Sequence, residues 1–162
     1  MTCASDIVPT GKVGLFHRVL HYFFLMSRGL TMGVRAVVRS PDGKFLLVRH
    51  TYIAGWHFPG GGVDRGETAE DALVKELRQE TGLVLTGRPR LYGVYFNGAV
   101  SNRDHVLVYL CEAGGQPPSS PRSLEIAEIG YFAFEELPEG TDRGAIDRMR
   151  EILGAQGRSV TW

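Results

Sequence analysis

Apolar positions recur with a helical period near the start of the chain and with the pattern of strands directly after it. On a projection at about 100° per residue, Val13 to Ser27 places its large apolar side chains on one broad side. The next two apolar runs are "TMGVRAVVRS" and "FLLVRH", separated by the turn signal "PDGK". The pattern predicts an amphipathic helix at about 13–27, followed by a β-hairpin.

The apolar side of this first helix consists of Phe16, Val19, Leu20, Phe23, Phe24 and Met26. We expect the helix to pack on the domain's own sheet through Phe16, Leu20 and Phe23. A homodimer contact or a membrane-surface contact is the alternative, because an apolar face alone does not select among them. The segment is shorter than the ~20 residues that a membrane span needs, so no span is predicted.

The remaining pattern alternates strands and helices. The central helix is predicted from Thr68 to Thr81, with Gly82 placed to end it. Further strands are predicted in "RLYGVYFN", "DHVLVYLCEA" and "EIAEIGYFAFEEL", and a C-terminal helix in "DRGAIDRMREIL". Because strands precede and follow the central helix, the sequence predicts a single α/β domain over 1–162. Its expected architecture is a sandwich in which helices cover a mixed central sheet.

Composition and charge narrow the function classes. The 162 residues fit one domain. The 18 basic residues balance the 18 acidic ones, which argues against a nucleic-acid partner with a large electrostatic footprint. Cys3 and Cys111 have no motif spacing and are expected to be free thiols. With no basic segment of a secretory signal at the start, we expect a soluble cytoplasmic protein.

The central helix carries two carboxylates on its apolar side. On a helical projection from Ala69, Glu76 falls at about 340° and Glu80 at about 20°, within the arc of Leu73 and Leu77. Inward charges are costly unless they are paired or bind metal, and like charges at i and i+4 repel. A divalent cation would relieve both problems, and carboxylate oxygens suit Mg²⁺ or Mn²⁺. The alternative is a solvated groove rim, or pairing with arginine.

Three consecutive glycines precede this helix. Gly60, Gly61 and Gly62 allow the backbone to approach a ligand closely. The P-loop sequence is absent, and Arg65 occupies the third glycine position of the dinucleotide-binding fingerprint. The carboxylates and glycines together predict a metal-dependent site for phosphate chemistry.

The segment "GGGVDRGETAEDALVKELRQETGL" resembles the Nudix box, G-x5-E-x7-R-E-U-x-E-E-x-G-U, where U is a bulky aliphatic residue. The matching positions are Gly61, Glu67, Glu76, Leu77, Glu80, Gly82 and Leu83. The flanking "GWHFPGGG" and "EIAEIGYFAFEELP" are also similar to the family, so that the resemblance covers roughly Thr31 to Leu153. It implies a Nudix-like α/β/α sandwich and hydrolysis of a nucleoside diphosphate linked to another moiety.

The resemblance also implies residue roles. Glu76 and Glu80 would bind Mg²⁺ or Mn²⁺, one of them also serving as general base, and the Gly61 carbonyl would be a further ligand. Glu67 would pair with the basic residue at 75 to orient the helix. The cation would screen the diphosphate and lower the pKa of bound water.

Two positions depart from the box. Lys75 stands in place of arginine, which keeps the charge but loses the planar fork that grips a carboxylate. Gln79 stands in place of the first glutamate of the E-E pair and offers only an amide oxygen as a metal ligand. The alternative function is therefore a catalytically weak Nudix-fold module that binds a nucleotide or a protein. An RNA-end hydrolase is disfavoured by the zero net charge.

Residues outside the box complete the predicted site. The candidates for contacts with a nucleotide-type substrate are Arg49, His50, Trp56, Phe58 and Glu128. Packing is the alternative for the two aromatic residues, and a solvated strand end for the basic ones. Weaker candidates among the basic residues are Arg35, Arg103 and His105. The resemblance also implies a general base in the region of Glu125 and Glu128, whereas Tyr92 and Tyr95 are expected to be structural.

Overall fold

The computed structural model describes residues 15–114, 118–119 and 125–162, without the side chains of 15–19 and 25. The described elements, in chain order, are α1 Leu15–Arg28, β1 Thr31–Val38, β2 Phe45–His50, β3 Trp56–His57, α2 Ala69–Thr81, β4 Arg90–Phe96, β5 Asp104–Cys111, β6 Ile126–Phe132, a 3₁₀ turn Phe134–Glu136 and α3 Arg143–Ile152. The predicted helices and strands are thus confirmed, and β3 is an addition within a segment that was predicted to be a loop.

The described strands form two three-stranded sheets, in the orders β1-β5-β4 and β3-β2-β6. The first is mixed, because β1 runs parallel to β5 and β4 runs antiparallel to it. The predicted hairpin between β1 and β2 is wrong: β2 pairs with β3 and β6, and the two strands share only a bridge between Arg39 and Phe45. The turn between them redirects the chain into the second sheet.

Alternating side chains of the strands build one apolar core on each face. Val34 and Ala36 of β1 belong to the cluster that contains Leu73 and Leu77 of α2. Val37, one position out of step, belongs to the cluster that contains residues of α3. This alternation is the consequence of the two-residue period of a strand. The predicted α/β sandwich, with helices over both faces, is confirmed.

Local signals set the boundaries of α2. The Thr68 hydroxyl accepts a hydrogen bond from the Asp71 N–H at 3.1 Å, which caps the first turn. Gly82 ends the helix in the left-handed conformation, with a φ of 69°. These two ends define the segment over which the helical period places Glu76 and Glu80 on the inward side of α2.

Helix α1 is present as predicted. The prediction that Leu20 and Phe23 pack on the domain's own sheet is wrong, because both side chains are exposed. Leu20 is 37% exposed and Phe23 is 62% exposed; the side chain of Phe16 lies outside the described residues. No described helix has the length and apolar character to cross a membrane. Cys111 is a buried free thiol, as expected, and Cys3 lies outside the described residues.

Candidate active site

The glycine segment lies along β1. Val34 N–H donates to the Gly61 carbonyl at 2.9 Å, and Ala36 N–H donates to the Pro59 carbonyl at 2.8 Å. Gly60 adopts a φ of 146°, and a Cβ at this position would lie 2.0 Å from the Val34 carbonyl oxygen. Only glycine permits this close approach. The segment is therefore a rigid backbone platform beside the middle of β1.

Glu80 reaches this platform from α2. Its residue is only 7% exposed, and its Oε2 accepts a hydrogen bond from Gly60 N–H at 2.8 Å. The Nε2 of His50 lies 3.4 Å from the other carboxylate oxygen. Burial raises the pKa of Glu80 to about 7, although the Gly60 N–H and the Arg35 charge oppose the shift. An inward carboxylate is thus confirmed at Glu80.

Glu76 lies one helical turn earlier and contacts the next glycine. A Cβ at Gly61 would be 2.6 Å from the Glu76 carboxyl carbon, so the absence of a side chain there leaves room for the carboxylate. The Glu76 side chain is 21% exposed, and burial raises its pKa. The two carboxylates therefore meet adjacent residues of one platform, as the helical projection predicts.

Arg35 is a cation whose charge acts on both carboxylates, whereas Lys75 acts on Glu76, 3.9 Å from its Nζ. Arg35 Nη1 donates to the Gly60 carbonyl, and its charge opposes the raised pKa of both Glu76 and Glu80. Burial lowers the pKa of His50, and the charges of His57 and Arg35 act in the same direction. From the sequence, Arg35 was only a weaker candidate for a substrate contact. The feature that could have indicated it is a charged residue within an otherwise apolar strand.

The predicted ion pair between Glu67 and Lys75 is present. Lys75 Nζ lies 3.0 Å from both oxygens of Glu67 and 3.2 Å from Asp64 Oδ2. The Asp64 N–H donates to Glu67 at 2.7 Å, and the hydrogen bond to Glu67 is the main cause of a raised Lys75 pKa. The ammonium thus ties α2 to the loop before it, and Asp64 is a partner that the sequence did not indicate.

Replacing Lys75 with methionine should lower the melting temperature by a few degrees, whereas Lys75→Arg should leave it nearly unchanged. Methionine keeps the aliphatic length but leaves Glu67, whose side chain is 20% exposed, without its cation. Thermal unfolding of both variants at one pH tests the role. Equal melting temperatures for Lys75→Met and the wild type would show that the pair does not orient the loop.

The residues present fit a hard divalent cation whose coordination the substrate completes. No group of three His, Cys, Asp or Glu that could hold a metal occurs among the residues that the structure describes. Mg²⁺ is usually held by one or two carboxylates together with substrate phosphates and waters, and Glu76 and Glu80 provide such a pair. The Gly61 carbonyl accepts one hydrogen bond, from Val34, which leaves its second lone pair.

Gln79 lies apart from the buried carboxylate. Its side chain is exposed, on the wall of an open groove that Lys75, Arg78 and Glu125 also line. The charge of Glu125 contributes to the raised pKa values of Glu76 and Glu80. Lys75, which lines the groove, also lies 3.9 Å from Glu76, so the groove adjoins Glu76; metal binding by Gln79 stays a prediction.

Gln79→Glu should tighten Mg²⁺ binding by several-fold if this position faces the cation, because a carboxylate holds a hard cation more strongly than an amide. Calorimetric titration of the wild type and the variant with Mg²⁺ measures the change. Arg78→Gln, one residue away on the exposed side of α2, is the control for a nonspecific change in charge. Equal affinities of Gln79→Glu and wild type would exclude Gln79 from the site.

The other predicted substrate contacts separate into two groups. Arg49 forms an ion pair with Glu128 across β2 and β6, so these two candidates are each other's partners at the sheet surface. Trp56 is buried against Phe132, with ring centroids 4.9 Å apart, and Phe58 is 0% exposed. Packing is therefore the role that the structure gives to Trp56, whereas Phe58 packs in the core and also lines a cavity beside His50.

The weaker candidates lie mostly away from the carboxylates. Arg103 is exposed, at the end of the first sheet, and the His105 ring contacts Phe96, with a centroid separation of 5.6 Å. Tyr95 is 1% exposed and lies in the core, which confirms its structural assignment. Tyr92 carries the guanidinium of Arg158 over its ring.

A cavity of about 280 Å³ opens beside the carboxylate pair. Its lining includes Arg35, His50, His57, Asn97, Asp142 and Trp162. The first two of these residues also interact with Glu80, so the cavity adjoins the predicted reaction site. The four others were not among the sequence-predicted site residues, because they come from four separate segments that only the fold brings together.

Comparison with known proteins gives consistent matches. The relative named "Putative 8-oxo-dGTP diphosphatase", from Bacillus subtilis (strain 168), is 35% identical over 108 residues, which cover 67% of this chain and 70% of that protein. An ADP-ribose pyrophosphatase from Methanocaldococcus jannaschii is 32% identical over 103 residues, which cover 60% of this chain and 59% of the relative. The chain therefore spans less than two thirds of that second relative.

Solved structures and a family model agree with these relatives. The crystal structure of an ADP-ribose pyrophosphatase from Streptococcus suis superposes with a TM-score of 0.64 at 28% identity, over 82% of this chain and 95% of that one. The family model described as NUDIX domain matches residues 29–153, which include the glycine platform, both carboxylates and α3. The chain therefore belongs to the NUDIX domain family of diphosphate hydrolases.

Proposed function

We propose that this protein hydrolyses the diphosphate of a nucleoside diphosphate linked to another moiety, using Mg²⁺ or Mn²⁺. The observation that carries the proposal is the pair of inward carboxylates, Glu76 and Glu80, against the backbone of Gly60 and Gly61. A buried carboxylate with a pKa of about 7 is costly to keep ionised. Binding a cation is the ordinary way to offset that cost, and phosphate oxygens complete the coordination.

In this proposal Glu76 and Glu80 hold the cation, and the carbonyl of Gly61 adds a neutral oxygen. When bound, the cation supplies charge neutralisation and activation of water. Arg35 lies beside the platform, where its guanidinium can bind phosphate oxygens with a fixed geometry. The Glu67–Lys75 pair has a positioning role, since it holds the loop in register with α2.

His50 adds a second titratable group to the site, beside the carboxyl group of Glu80. Its Nε2 faces Glu80 at 3.4 Å, and its Nδ1 is buried without a hydrogen-bond partner in the described part of the chain. Burial lowers the pKa of His50, which favours the neutral imidazole, a ring with one hydrogen-bond donor and one acceptor. His50 therefore orients the Glu80 carboxylate without competing with the cation.

The test is a substrate screen. Nucleotide sugars, ADP-ribose, dinucleoside polyphosphates and oxidised nucleoside triphosphates are incubated with the protein and Mg²⁺, Mn²⁺ or EDTA, and phosphate-containing products are quantified. Glu80→Gln protein, purified in parallel, is the control for contaminating hydrolases. Turnover that requires a divalent cation and exceeds the control supports the proposal; no turnover above the control on any member contradicts it.

A nucleotide- or protein-binding module is the second candidate, and the observation that favours it is Gln79. A neutral amide replaces a carboxylate at the groove next to the pair, which weakens any cation held there. Calorimetry with the same compounds separates the candidates. A binding module retains a compound unchanged in the presence of Mn²⁺, whereas a hydrolase converts it.

A further inference from the structure

Residues 159–162 form an extra edge on the first sheet. Phe96 N–H donates to the Val160 carbonyl at 2.9 Å, and Trp162 N–H donates to the Phe96 carbonyl at 3.0 Å. Thr161 thereby pairs with Phe96 in a parallel bridge beside β4. The segment is held by backbone pairing, at the end of β4 that continues into Asn97 of the cavity wall.

A buried ion pair fastens the same segment to α3. The Arg148 guanidinium, with its side chain 1% exposed, donates to Glu151 Oε1 at 2.8 Å and to the Thr161 carbonyl at 2.9 Å. Glu151 Oε1 also accepts the Ser159 N–H at 2.7 Å. Removing one member of such a pair leaves an uncompensated charge in the core, so the pair holds residues 159–162 firmly in place.

These two anchors fix the position of the Trp162 ring. A Cβ at Gly144, at the start of α3, would lie 2.1 Å from Trp162 Nε1, so the ring rests directly on this glycine. The Tyr95 ring meets it edge to face, with centroids 6.2 Å apart. Trp162 is at the same time part of the cavity wall, together with Arg35. A large, rigidly supported indole therefore lines a cavity whose other wall adjoins the carboxylates.

We propose that Trp162 is a specificity-determining residue that stacks on the nucleobase of the substrate. The cavity, at about 280 Å³, is slightly smaller than the usual range for pockets that hold a whole ligand, so it accommodates one end of a nucleotide rather than the whole molecule. Arg35 and Glu80 both bond the backbone of Gly60, so Arg35 places the phosphate end of that ligand near Glu80, and Asn97 and Asp142 provide polar atoms for a base edge. This assignment rests on the proposed function, because it names the group that occupies the far part of the same site.

The experiment measures binding rather than turnover. Wild type, Trp162→Ala and Trp162→Phe are titrated by calorimetry with AMP, GMP, CMP, UMP and ribose 5-phosphate, which lacks a base. For the nucleotide that the wild type binds most tightly, Trp162→Ala should weaken binding by about tenfold, since a base stacked on an aromatic side chain contributes roughly that much. Trp162→Phe should bind within about threefold of the wild type, and ribose 5-phosphate should be unaffected by either change.

Gly144→Ala provides an independent variant in case Trp162→Ala does not fold. The added methyl group must displace the ring, whose Nε1, Cε2 and Cδ1 would lie 2.1, 2.3 and 2.6 Å from it, while alanine is itself a better helix former than glycine. Gly144→Ala should weaken binding of the same nucleotide several-fold. The proposal is overturned if the wild type binds none of the four nucleotides, or if the variants keep wild-type affinity. It is also overturned if ribose 5-phosphate loses affinity in parallel.

These outcomes are separate from the fate of the proposed function. Hydrolysis that depends on Glu80 in the substrate screen, together with unchanged nucleotide binding in Trp162→Ala, would retain the activity and reject the stacking role. Base-dependent binding without any turnover would retain Trp162 as a base contact in a binding module.

Discussion

Glu80→Gln is expected to lower hydrolysis of a confirmed substrate by about a hundredfold or more, while making the metal-free protein more stable above pH 7. The loss of rate follows from removing a ligand charge, which costs several kcal/mol of transition-state stabilisation. The fold should persist, because glutamine is isosteric and its amide oxygen can still accept the hydrogen bond from Gly60.

The gain in stability follows from the raised pKa of Glu80. The folded state has a pKa of about 7 against an ordinary value of 4.5, so between these values the folded protein binds more protons than the unfolded chain. The free energy of unfolding of the metal-free wild type therefore falls as pH rises through this window. Above the window, ionisation of Glu80 has lowered it by about 3 kcal/mol. Burial raises the pKa of Glu76 as well, which acts in the same direction. Glutamine does not ionise and escapes the penalty.

Urea unfolding in EDTA at pH 5 and pH 8, combined with initial rates in Mn²⁺, measures both effects. Glu70→Gln is the matched control on the same helix, because Glu70 pairs with Arg88 at the surface and should change neither quantity much. Near-wild-type turnover in Glu80→Gln would refute its catalytic assignment. Equal stability of Glu80→Gln and wild type at pH 8 would show that the carboxylate is not desolvated.

The three adjacent glycines are expected to respond to alanine in three different ways, with the largest effect at Gly60. A Cβ on Gly60 would lie 2.0 Å from the Val34 carbonyl oxygen and 2.9 Å from its carbon, at a φ of 146°. Because the obstacle is the backbone of β1, which does not rotate away as a side-chain end does, the platform and β1 must separate. Gly60→Ala should therefore lose about 3 kcal/mol or more of stability, with a melting temperature lower by about 6–12 °C.

The neighbouring positions are controls for this result. The atoms nearest to a Cβ on Gly61 would be those of the Glu76 carboxylate, the closest at 2.6 Å, and a side-chain end can move. Gly61→Ala should fold with a small change in melting temperature but lose activity, because the carboxylate is displaced. A Cβ on Gly62 meets nothing within 4 Å, so Gly62→Ala should resemble the wild type. Similar melting temperatures for all three variants would contradict the placement of the platform against β1.

The local elements and the two carboxylates could be predicted from sequence, because their signals act over a few residues. Thr68 and Gly82 delimit α2 through hydrogen bonds and a left-handed turn within the helix itself. Once those ends are set, the 3.6-residue period puts Glu76 and Glu80 on the side of Leu77. The Nudix box lies in the same short segment. The resemblance to it predicted both the family and the ion pair between Glu67 and Lys75.

Strand pairing and the surroundings of the carboxylates required the tertiary structure. Each apolar strand is compatible with several neighbours, and the choice depends on contacts far apart in sequence. Thr31 of β1 pairs with Asp104 of β5, and the nearby "PDGK" turn, which suggested a hairpin, does not decide that pairing. For the same reason the expected packing of α1 was wrong for Leu20 and Phe23, since an apolar face does not specify its partner.

The chemical environment of the site is also a long-range property. Arg35 on β1, His50 on β2 and Trp162 after α3 are unremarkable positions in the sequence, and they line one cavity only because the two sheets and α3 pack around it. Burial raises the pKa of Glu80, and burial depends on everything that excludes water from a residue. By itself the sequence determined which face of α2 carries the two carboxylates, since periodicity is local; the fold decided what surrounds them, since packing sums contributions from the whole chain.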